Sequence, residues 1–301
     1  MDLRRLRYFV AVAEEGSFTR AAEQRLRTAQ PSLSRQIRDL EEELEVRLIV
    51  RNRKGIELTS AGRVLLDHAR IMLSQAEVAT QATRRAAKSG KMPLVIGFLS
   101  GFELEWLPEI ARLLRDQLDR TELVLQSSSS PDLIRLLKSG GLDVAFLRPD
   151  RGTLEVAFKR VIEEPLMAIL PSGHRLAKRR FVRPRDFENE VLIAVSHDEA
   201  PTLRGVIDTY LTRSQISLRV GHEAVNLPTI FSLVLSTPGV SLLPTFARKL
   251  APPSITCVPL EPDAPKVELA IGYNKTNASG LLRLFLSRVD DLILERAGAP
   301  N

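Results

Sequence analysis

One cysteine, Cys257, in 301 residues leaves no intramolecular disulfide to form, and nothing calls for an oxidising compartment. Apolar runs are short: stretches such as Val191–Val195 fall far below the roughly 18 residues of a membrane-crossing helix. The N-terminus, Met1-Asp2-Leu3-Arg4-Arg5, carries charges where a secretory signal has an apolar core. A cytoplasmic protein with no membrane partner is therefore expected. The four histidines, His68, His174, His197 and His222, lie far apart with no metal-ligand spacing. Gly-x-Ser-x-Gly, Gly-x-x-x-x-Gly-Lys and Gly-x-Gly-x-x-Gly are all missing. Ser196-His197-Asp198 are mere sequence neighbours, whereas the members of a catalytic triad meet only through folding. Cys257 has no adjacent cation to activate it. Neither enzyme chemistry nor a cofactor or metal is expected.

What is present is a soluble globular balance, 44% hydrophobic and 27% charged, which excludes collagen-like and largely disordered chains. The net charge of +6 is unevenly spread. Residues 1–90 hold 17 Lys/Arg against 12 Asp/Glu, so five of the six excess positive charges sit in the first third. A basic end on a near-neutral body points to a polyanion, nucleic acid first; a solvated basic surface is the alternative that charge alone leaves open.

Residues 1–58 read as short helices with tight turns. Leu3, Leu6, Val10 and Ala13 recur at helical steps, and Gly16-Ser17 ends that helix, with Ser17 able to cap the next. A second helix, from Phe18 to about Leu26, carries the small pair Ala21-Ala22. Thr28-Ala29-Gln30-Pro31 breaks the chain, and Pro31 suits the first turn of a third helix, which runs to about Leu44. Leu33, Ile37, Leu40 and Leu44 form its apolar face; Gln30, Ser32, Ser34, Arg35 and Arg38 lie opposite. Leu48 to Leu58 then reads as a β-hairpin with Arg51, Arg53 and Lys54 around its tip. This is the order of a winged helix-turn-helix. Arg reaches guanine O6 and N7, Gln pairs with adenine, and a basic hairpin tip suits phosphate or a minor groove. Thr59 caps a long helix to about Lys88. Leu65, Ala69, Met72, Ala76, Ala79, Thr83 and Ala86 make a heptad seam along it, read as a dimer contact, the alternative being packing on its own domain. Ser89-Gly90-Lys91 reads as a hinge.

From Pro93 onward, strands at 93–98, 121–126, 142–147, 191–195, 218–223, 239–243 and 266–273 alternate with helices at 104–117, 131–139, 201–213, 226–236 and 279–297. Such alternation predicts parallel α/β sheets with ligands at the carboxyl ends of the strands. The fold class expected is α/β behind an all-α, winged N-terminus.

Particular stretches carry a family resemblance. Leu6-Arg7-Tyr8-Phe9-Val10-Ala11-Val12-Ala13, Gly16-Ser17-Phe18-Thr19-Arg20-Ala21-Ala22, Gln30-Pro31-Ser32-Leu33-Ser34-Arg35-Gln36-Ile37 and Leu58-Thr59-Ser60-Ala61-Gly62 resemble the DNA-binding domain of LysR-type transcriptional regulators. The remainder resembles that family's effector domain, including Gly140-Gly141-Leu142-Asp143-Val144, Pro165-Leu166 and His174-Arg175-Leu176-Ala177. It is most similar to the subgroup responsive to aromatic acids and ring-cleavage products. The resemblance implies a winged helix-turn-helix at 1–59, a dimerising linker and hinge at 60–90 and a two-lobed domain at 91–301, like that of periplasmic solute-binding proteins. Lobe one would be 91–162 plus 266–301, and lobe two 163–265. It also implies double-stranded DNA and a small effector between the lobes, an aromatic or unsaturated carboxylate by subgroup likeness. A homotetramer built from linker dimers follows, with RNA polymerase as a further candidate partner. Two departures stand out. Ala22 to Thr28 looks one residue longer than the common pattern, and Ser236-Thr237-Pro238-Gly239 replaces an Ala/Gly-rich turn.

The first strand of the α/β body ends in Ser100-Gly101 and the second in Ser127–Ser130, where Ser130 reads as a helix N-cap. A helix N-terminus with spare hydroxyls suits a carboxylate. By the resemblance, Ser129 and Ser130 occupy the position that offers a hydroxyl to the effector, and Gly101 replaces a serine, shifting that contact to Ser100 or a backbone N–H. Arg148 is a candidate cationic partner or a structural ion pair. Ser196, His197 and Asn226 lie where the family closes over its ligand, and His197 either touches ligand or bonds locally. Phe102 and Trp106 stand between ring-stacking and core roles. A solute receptor that does not bind DNA is the competing class; it leaves the basic winged end unexplained.

Overall fold

The computed structural model describes residues 1–52, 55–150 and 152–298. The chain forms two compact units, one built on Met1–Lys88 and one on Ser89–Lys138 with Leu142–Asn301.

In the first unit, α1 (Leu3–Glu15) is capped by Asp2, whose carboxylate accepts the Arg5 N–H at 2.8 Å. Gly16, at φ +61°, ends it in the left-handed region that glycine enters without steric cost. Its buried face is Leu6, Phe9, Val10 and Val12; Leu3, expected on that face, is exposed. Ser17 caps the short α2 (Phe18–Arg20), which continues as a π-helical turn over Ala21–Leu26. The stretch expected to be one residue longer, Ala22 to Thr28, overlaps this π turn, which holds one more residue per turn than an α-helix. Arg27 closes it at φ +50°. Ala21 and Ala22 are fully buried, giving close approach to the neighbouring helices. Helix α3 (Gln30–Glu43) starts with Pro31 in its first turn and buries Leu33, Ile37 and Leu40. Strands β1 (Ile49–Asn52) and β2 (Gly55–Leu58) pair antiparallel. Thr59 then caps α4 (Ser60–Ser89), its hydroxyl oxygen accepting the Gly62 N–H at 2.9 Å.

The heptad seam of α4 requires a correction. Ala69 is fully buried, and Leu65, Leu66, Met72 and Leu73 pack against the same core as α1 and α3. The N-terminal half of the expected seam therefore serves the unit's own core. Ala79 and Thr83 are exposed and Ala76 half-buried; the Ala86 side chain lies outside the described ones.

The second unit is two-lobed. Strands β3 (Met92–Leu99), β4 (Thr121–Ser128) and β5 (Val144–Leu147) run parallel, with α5 (Glu103–Leu113) and α6 (Ser130–Lys138) between them. The long β6 (Val156–Pro171) passes from one lobe to the other. Its first part pairs with β11 (Lys266–Asn274), and its last part with β9 (Ser241–Pro244) and β10 (Ile255–Pro259). In lobe two, β7 (Val191–Val195) and β8 (Arg219–Ala224) run parallel, with α7 (Pro201–Arg213), α8 (Leu227–Ser236) and the short α9 (Ala247–Leu250) around them. Helix α10 (Gly280–Gly298) returns to lobe one. The expectation of wholly parallel sheets is thus corrected, since every pairing of β6 and β11 is antiparallel. A strand that leaves one lobe and another that returns must run in opposite directions. Each lobe has its own core: Phe98, Trp106, Phe146 and Phe285 in lobe one, and Phe187, Ile193, Val234 and Leu242 in lobe two. The replaced turn after α8 ends that helix cleanly, the Thr237 N–H and hydroxyl both donating to the Leu233 carbonyl.

Candidate functional site

Two sites need chemistry, one per unit. In the first, α3 presents a polar row. The Gln30 side-chain amide donates to the Ser34 hydroxyl at 2.8 Å, and Arg38 Nε reaches the Ser34 carbonyl at 3.4 Å. Pro31, Ser32, Arg35 and Arg38 are exposed and Gln30 is half-buried. Ser34 departs from the expected exposed face: it is only 8% exposed, so its hydroxyl braces Gln30 from the core side. Among the described ion pairs, Arg5, Arg25 and Arg70 are neutralised by Glu43 or Glu14, whereas Arg35 and Arg38 take part in none. Arg35 and Arg38 therefore present unneutralised positive charge on the exposed side of α3, as Arg7 and Arg27, also in none of the described ion pairs, do elsewhere on the unit. A groove separates Gln30, Pro31 and Arg38 from Ile49 and Val50 of β1. Arg53 and Lys54 lie outside the described residues, as does the Arg51 side chain.

In the second unit, a cavity of about 300 Å³ opens between the lobes. The carboxyl ends of β3, β4, β5, β7, β8 and β9 all reach it, as the open α/β rule requires. Three helices begin at its wall: α6 at Ser130, α7 at Pro201 and α8 at Leu227. Each N-terminus carries about half a positive charge through its aligned peptide dipoles. Ser100, Ser129, Thr202 and Asn226 add polar groups, while Leu99, Val195, Leu203, Ile230 and Phe246 make much of the surface apolar. Asn226 caps α8, its side-chain oxygen accepting the Thr229 N–H at 2.9 Å.

Arg148 is the cation in this wall, but its charge is spent. Its guanidinium donates to Glu164 Oε2 at 2.7 Å, and the two side chains are only 5% and 6% exposed. Burial lowers the pKa of Arg148, with the attraction and hydrogen bond of Glu164 opposing that shift. The Arg148 N–H donates to the Ser130 hydroxyl at 3.0 Å, and its guanidinium lies 5.2 Å from the centroid of the Phe102 ring. Phe102 stacks on Phe246 with centroids 3.9 Å apart, and the Phe246 N–H returns to Glu164 Oε1 at 3.0 Å. Ser130, Arg148, Glu164, Phe246 and Phe102 thus close a ring of contacts that joins loops of both lobes to the crossing strand β6. Thr202 adds a direct tie, donating to the Pro149 carbonyl at 3.3 Å.

The sequence settles whose architecture this is. The family model described as the LysR substrate binding domain matches residues 87–292, and that of the bacterial regulatory helix-turn-helix protein, lysR family, matches residues 3–63. The chain belongs to the LysR family of transcriptional regulators. It is 31% identical over 286 residues to the HTH-type transcriptional regulator AlsR of Bacillus subtilis, covering 95% of this chain and 94% of AlsR. It is 30% identical over 291 residues to the Hca operon transcriptional activator HcaR of Escherichia coli, covering 97% and 98%. The crystal structure of full-length BenM superposes with a TM-score of 0.59 at 26% identity, covering the whole of both chains. As in the family, this is a DNA-binding regulator whose α/β domain takes a small-molecule effector. Among the described residues no cluster of His, Cys, Asp and Glu forms a metal site, and no helix is long and apolar enough to cross a membrane.

For a LysR effector cavity, the expected residues divide. Ser100, Ser129, Ser130, Arg148 and Asn226 line it; Gly101, Ser196 and His197 do not. Gly101 turns the chain at φ +98°, gives its N–H to Glu103 at 2.8 Å and faces Leu250 and Phe246. The Ser196 N–H is bonded to the Ala224 carbonyl, and the next residue, His197, is directed to solvent. Trp106 is core, whereas Phe102 takes part in the wall. Phe246, Thr202 and Glu164 were not legible beforehand. Glu164 sits in Glu163-Glu164-Pro165, which reads as a surface acid pair, and nothing local to Phe246 distinguishes it from another core aromatic.

Proposed function

We propose that this regulator reads a specific DNA sequence through α3 and the β1–β2 hairpin, and that a small carboxylate in the interlobe cavity changes how it does so. The observation carrying the second half is the convergence of three helix N-termini from two lobes on a cavity whose arginine is already neutralised. An anion there meets positive dipoles from both sides, so binding favours the closed arrangement of the lobes. Effector chemistry is then set by the dipoles, the hydroxyls, the apolar wall and the Glu199 carboxylate that also lines the cavity, a set in which one carboxylate on an unsaturated or aromatic body is placed against the helix N-termini and away from Glu199. The likeness to HcaR and to the aromatic-acid subgroup supports that class.

On the DNA side, Gln30, Pro31, Ser32, Arg35 and Arg38 form the reading edge, with Arg51, Arg53 and Lys54 supplying phosphate contacts from the hairpin. The same reading takes residues 1–59 as the DNA-binding domain, 60–90 as the linker through which two copies pair, and 91–162 with 266–301 and 163–265 as the two lobes. Pairs of dimers assemble into tetramers. Footprinting on DNA beside its own gene, across a salt series and with benzoate, cinnamate or fumarate, tests it. The expected result is a two-fold-symmetric site that weakens steeply with salt and shifts with one carboxylate. Diffuse protection at every salt concentration with every acid overturns it.

A further inference from the structure

We infer that Glu41 is the positioning residue that fixes the hairpin relative to the recognition helix, and so sets whether the two touch DNA together. Glu41 lies in the last turns of α3 and is only 8% exposed. An acid that deep is costly unless it is paired or hydrogen-bonded. Its Oε1 accepts two backbone N–H groups, Leu48 at 2.7 Å and Ile49 at 3.1 Å, where the chain enters the hairpin. Its Oε2 faces Arg47 Nη1 at 3.7 Å. The carbonyls of the same short segment are held from the other side, with the Thr59 hydroxyl donating to the Arg47 carbonyl at 2.7 Å and the Thr59 N–H to the Leu48 carbonyl at 3.0 Å.

The hairpin base is therefore clamped by side chains at both its donors and its acceptors. Because Glu41 belongs to the helix that carries Gln30, Arg35 and Arg38, it ties the hairpin base directly to that helix, in addition to the packing of Leu48 and Ile49 in the unit's core. The groove between α3 and β1 has Glu41 in its lining, so losing the clamp changes the angle between the two walls. A carboxylate oxygen serves two N–H groups at once, and charge-assisted bonds of this kind are stronger than neutral ones. Backbone pairing within the hairpin does not depend on Glu41, because β1 and β2 satisfy each other.

The inference rests on the reading that both α3 and the hairpin contact DNA. The test uses the full-length chain on its footprinted DNA, comparing Glu41→Ala and Glu41→Gln with wild type. Hydroxyl-radical protection is read separately over the bases under α3 and over the flanking backbone, alongside amide exchange at Leu48 and Ile49 in the free protein. Glu41→Ala is expected to lose flanking protection, keep that under α3, speed exchange at the two amides and weaken binding by about tenfold or more, the factor for one charge-assisted contact set. Glu41→Gln, which keeps an acceptor of the same shape, is expected to restore most of the flank. Unchanged flanking protection in both variants overturns the assignment. Parallel loss of both protections in proportion to the unfolded fraction makes Glu41 merely structural and overturns it too. Flanking protection missing from the wild-type protein overturns the underlying reading instead.

Discussion

Removing one side of the Arg148–Glu164 pair has a computable cost. In Arg148→Ala the Glu164 carboxylate, 6% exposed in the intact pair, keeps the Phe246 N–H but loses the 2.7 Å bond to the guanidinium. Breaking a buried pair in this way costs about 3–5 kcal/mol, against about 0–1 kcal/mol for an exposed pair. Glu164→Ala is expected to cost more still, because it strands a buried guanidinium and the Phe246 N–H together; an unsatisfied buried donor adds about 1–3 kcal/mol. The double substitution Arg148→Met with Glu164→Gln removes both charges and keeps an acceptor for Phe246. Since burial dominates the shift of Arg148, the neutral pair should return to within about 1–2 kcal/mol of wild type. Trp106, the single tryptophan of the chain and fully buried against Phe146, reports unfolding of lobe one in urea. At about 2–3 kcal/mol per molar urea, Arg148→Ala should move the midpoint down by about 1–2 M. A loss under about 1 kcal/mol, or a double variant no better than the worse single, would refute the view that an unpaired charge is what each single substitution leaves behind.

Three further outcomes follow from local geometry. A Cβ on Gly62 would sit 2.1 Å from the Leu48 carbonyl oxygen, so Gly62→Ala should destabilise the first unit by about 1–3 kcal/mol in thermal melts; Gly173→Ala, with nothing within 4 Å, should stay within about 0.5 kcal/mol. Burial raises the pKa of Glu14, but the hydrogen bonds and charges of Arg70 and Arg25 outweigh it and hold the carboxyl below its ordinary 4.5. Its stabilising contribution is therefore complete above about pH 4.5 and fades as pH falls through the lower folded value. Acid unfolding of Arg70→Ala should lose part of that dependence, and an identical acid limb would contradict the pairing. Asn226→Asp keeps the cap of α8 yet places a negative charge on the cavity wall, so it should leave the melting temperature within about 1 °C and weaken a carboxylate effector by about tenfold. Equal affinity in isothermal titration would mean that the effector is not an anion.

Where periodicity governs, the sequence was readable. The three short helices, the hairpin and most strands of the α/β body announce themselves through caps, turns and apolar spacing. The long β6 does not. Its pattern is interrupted by Lys159-Arg160 and Glu163-Glu164-Pro165, because the strand leaves one sheet and joins another, and its two halves face different cores. Antiparallel return by β11 was invisible for a related reason: strand direction is a property of the crossing between lobes, which no local spacing records. The cavity was half legible. Ser129, Ser130 and Asn226 sit at helix starts, which sequence marks well. Arg148 read as a cation near a strand end, but its neutralisation by Glu164 depends on a contact sixteen residues away across the lobe junction. His197 shows the converse: a chemically suggestive residue beside a strand end is exposed and does not line the cavity.

The linker helix shows how one period can serve a core and a seam at once. Steps of four and three along α4 are real, yet Leu65, Ala69 and Met72 are taken up by the core of the winged unit. One position earlier, Val64, His68, Ile71, Gln75 and Val78 repeat the same steps. Val64 is 61% exposed and shares an apolar groove with Met1, Leu44, Val46, His68 and Ile71. Near the start of α4, where Leu65, Ala69 and Met72 are taken up, pairing of two linkers should therefore use this displaced face, while Ala79 and Thr83 of the first-read seam stay exposed farther along. Covering one valine stabilises by about 1.5–3 kcal/mol, and each copy contributes its own. A glutamate at position 64 reverses the sign by placing a charge in the seam. Val64→Glu should fold normally but lower the mass seen by sedimentation at micromolar concentration, whereas Ala69→Glu should unfold the first unit without producing a folded lower-mass species. If Val64→Glu keeps the wild-type mass while a folded Ala79→Glu loses it, the seam lies in the phase first read from the sequence, and the core packing of Ala69 is compatible with it.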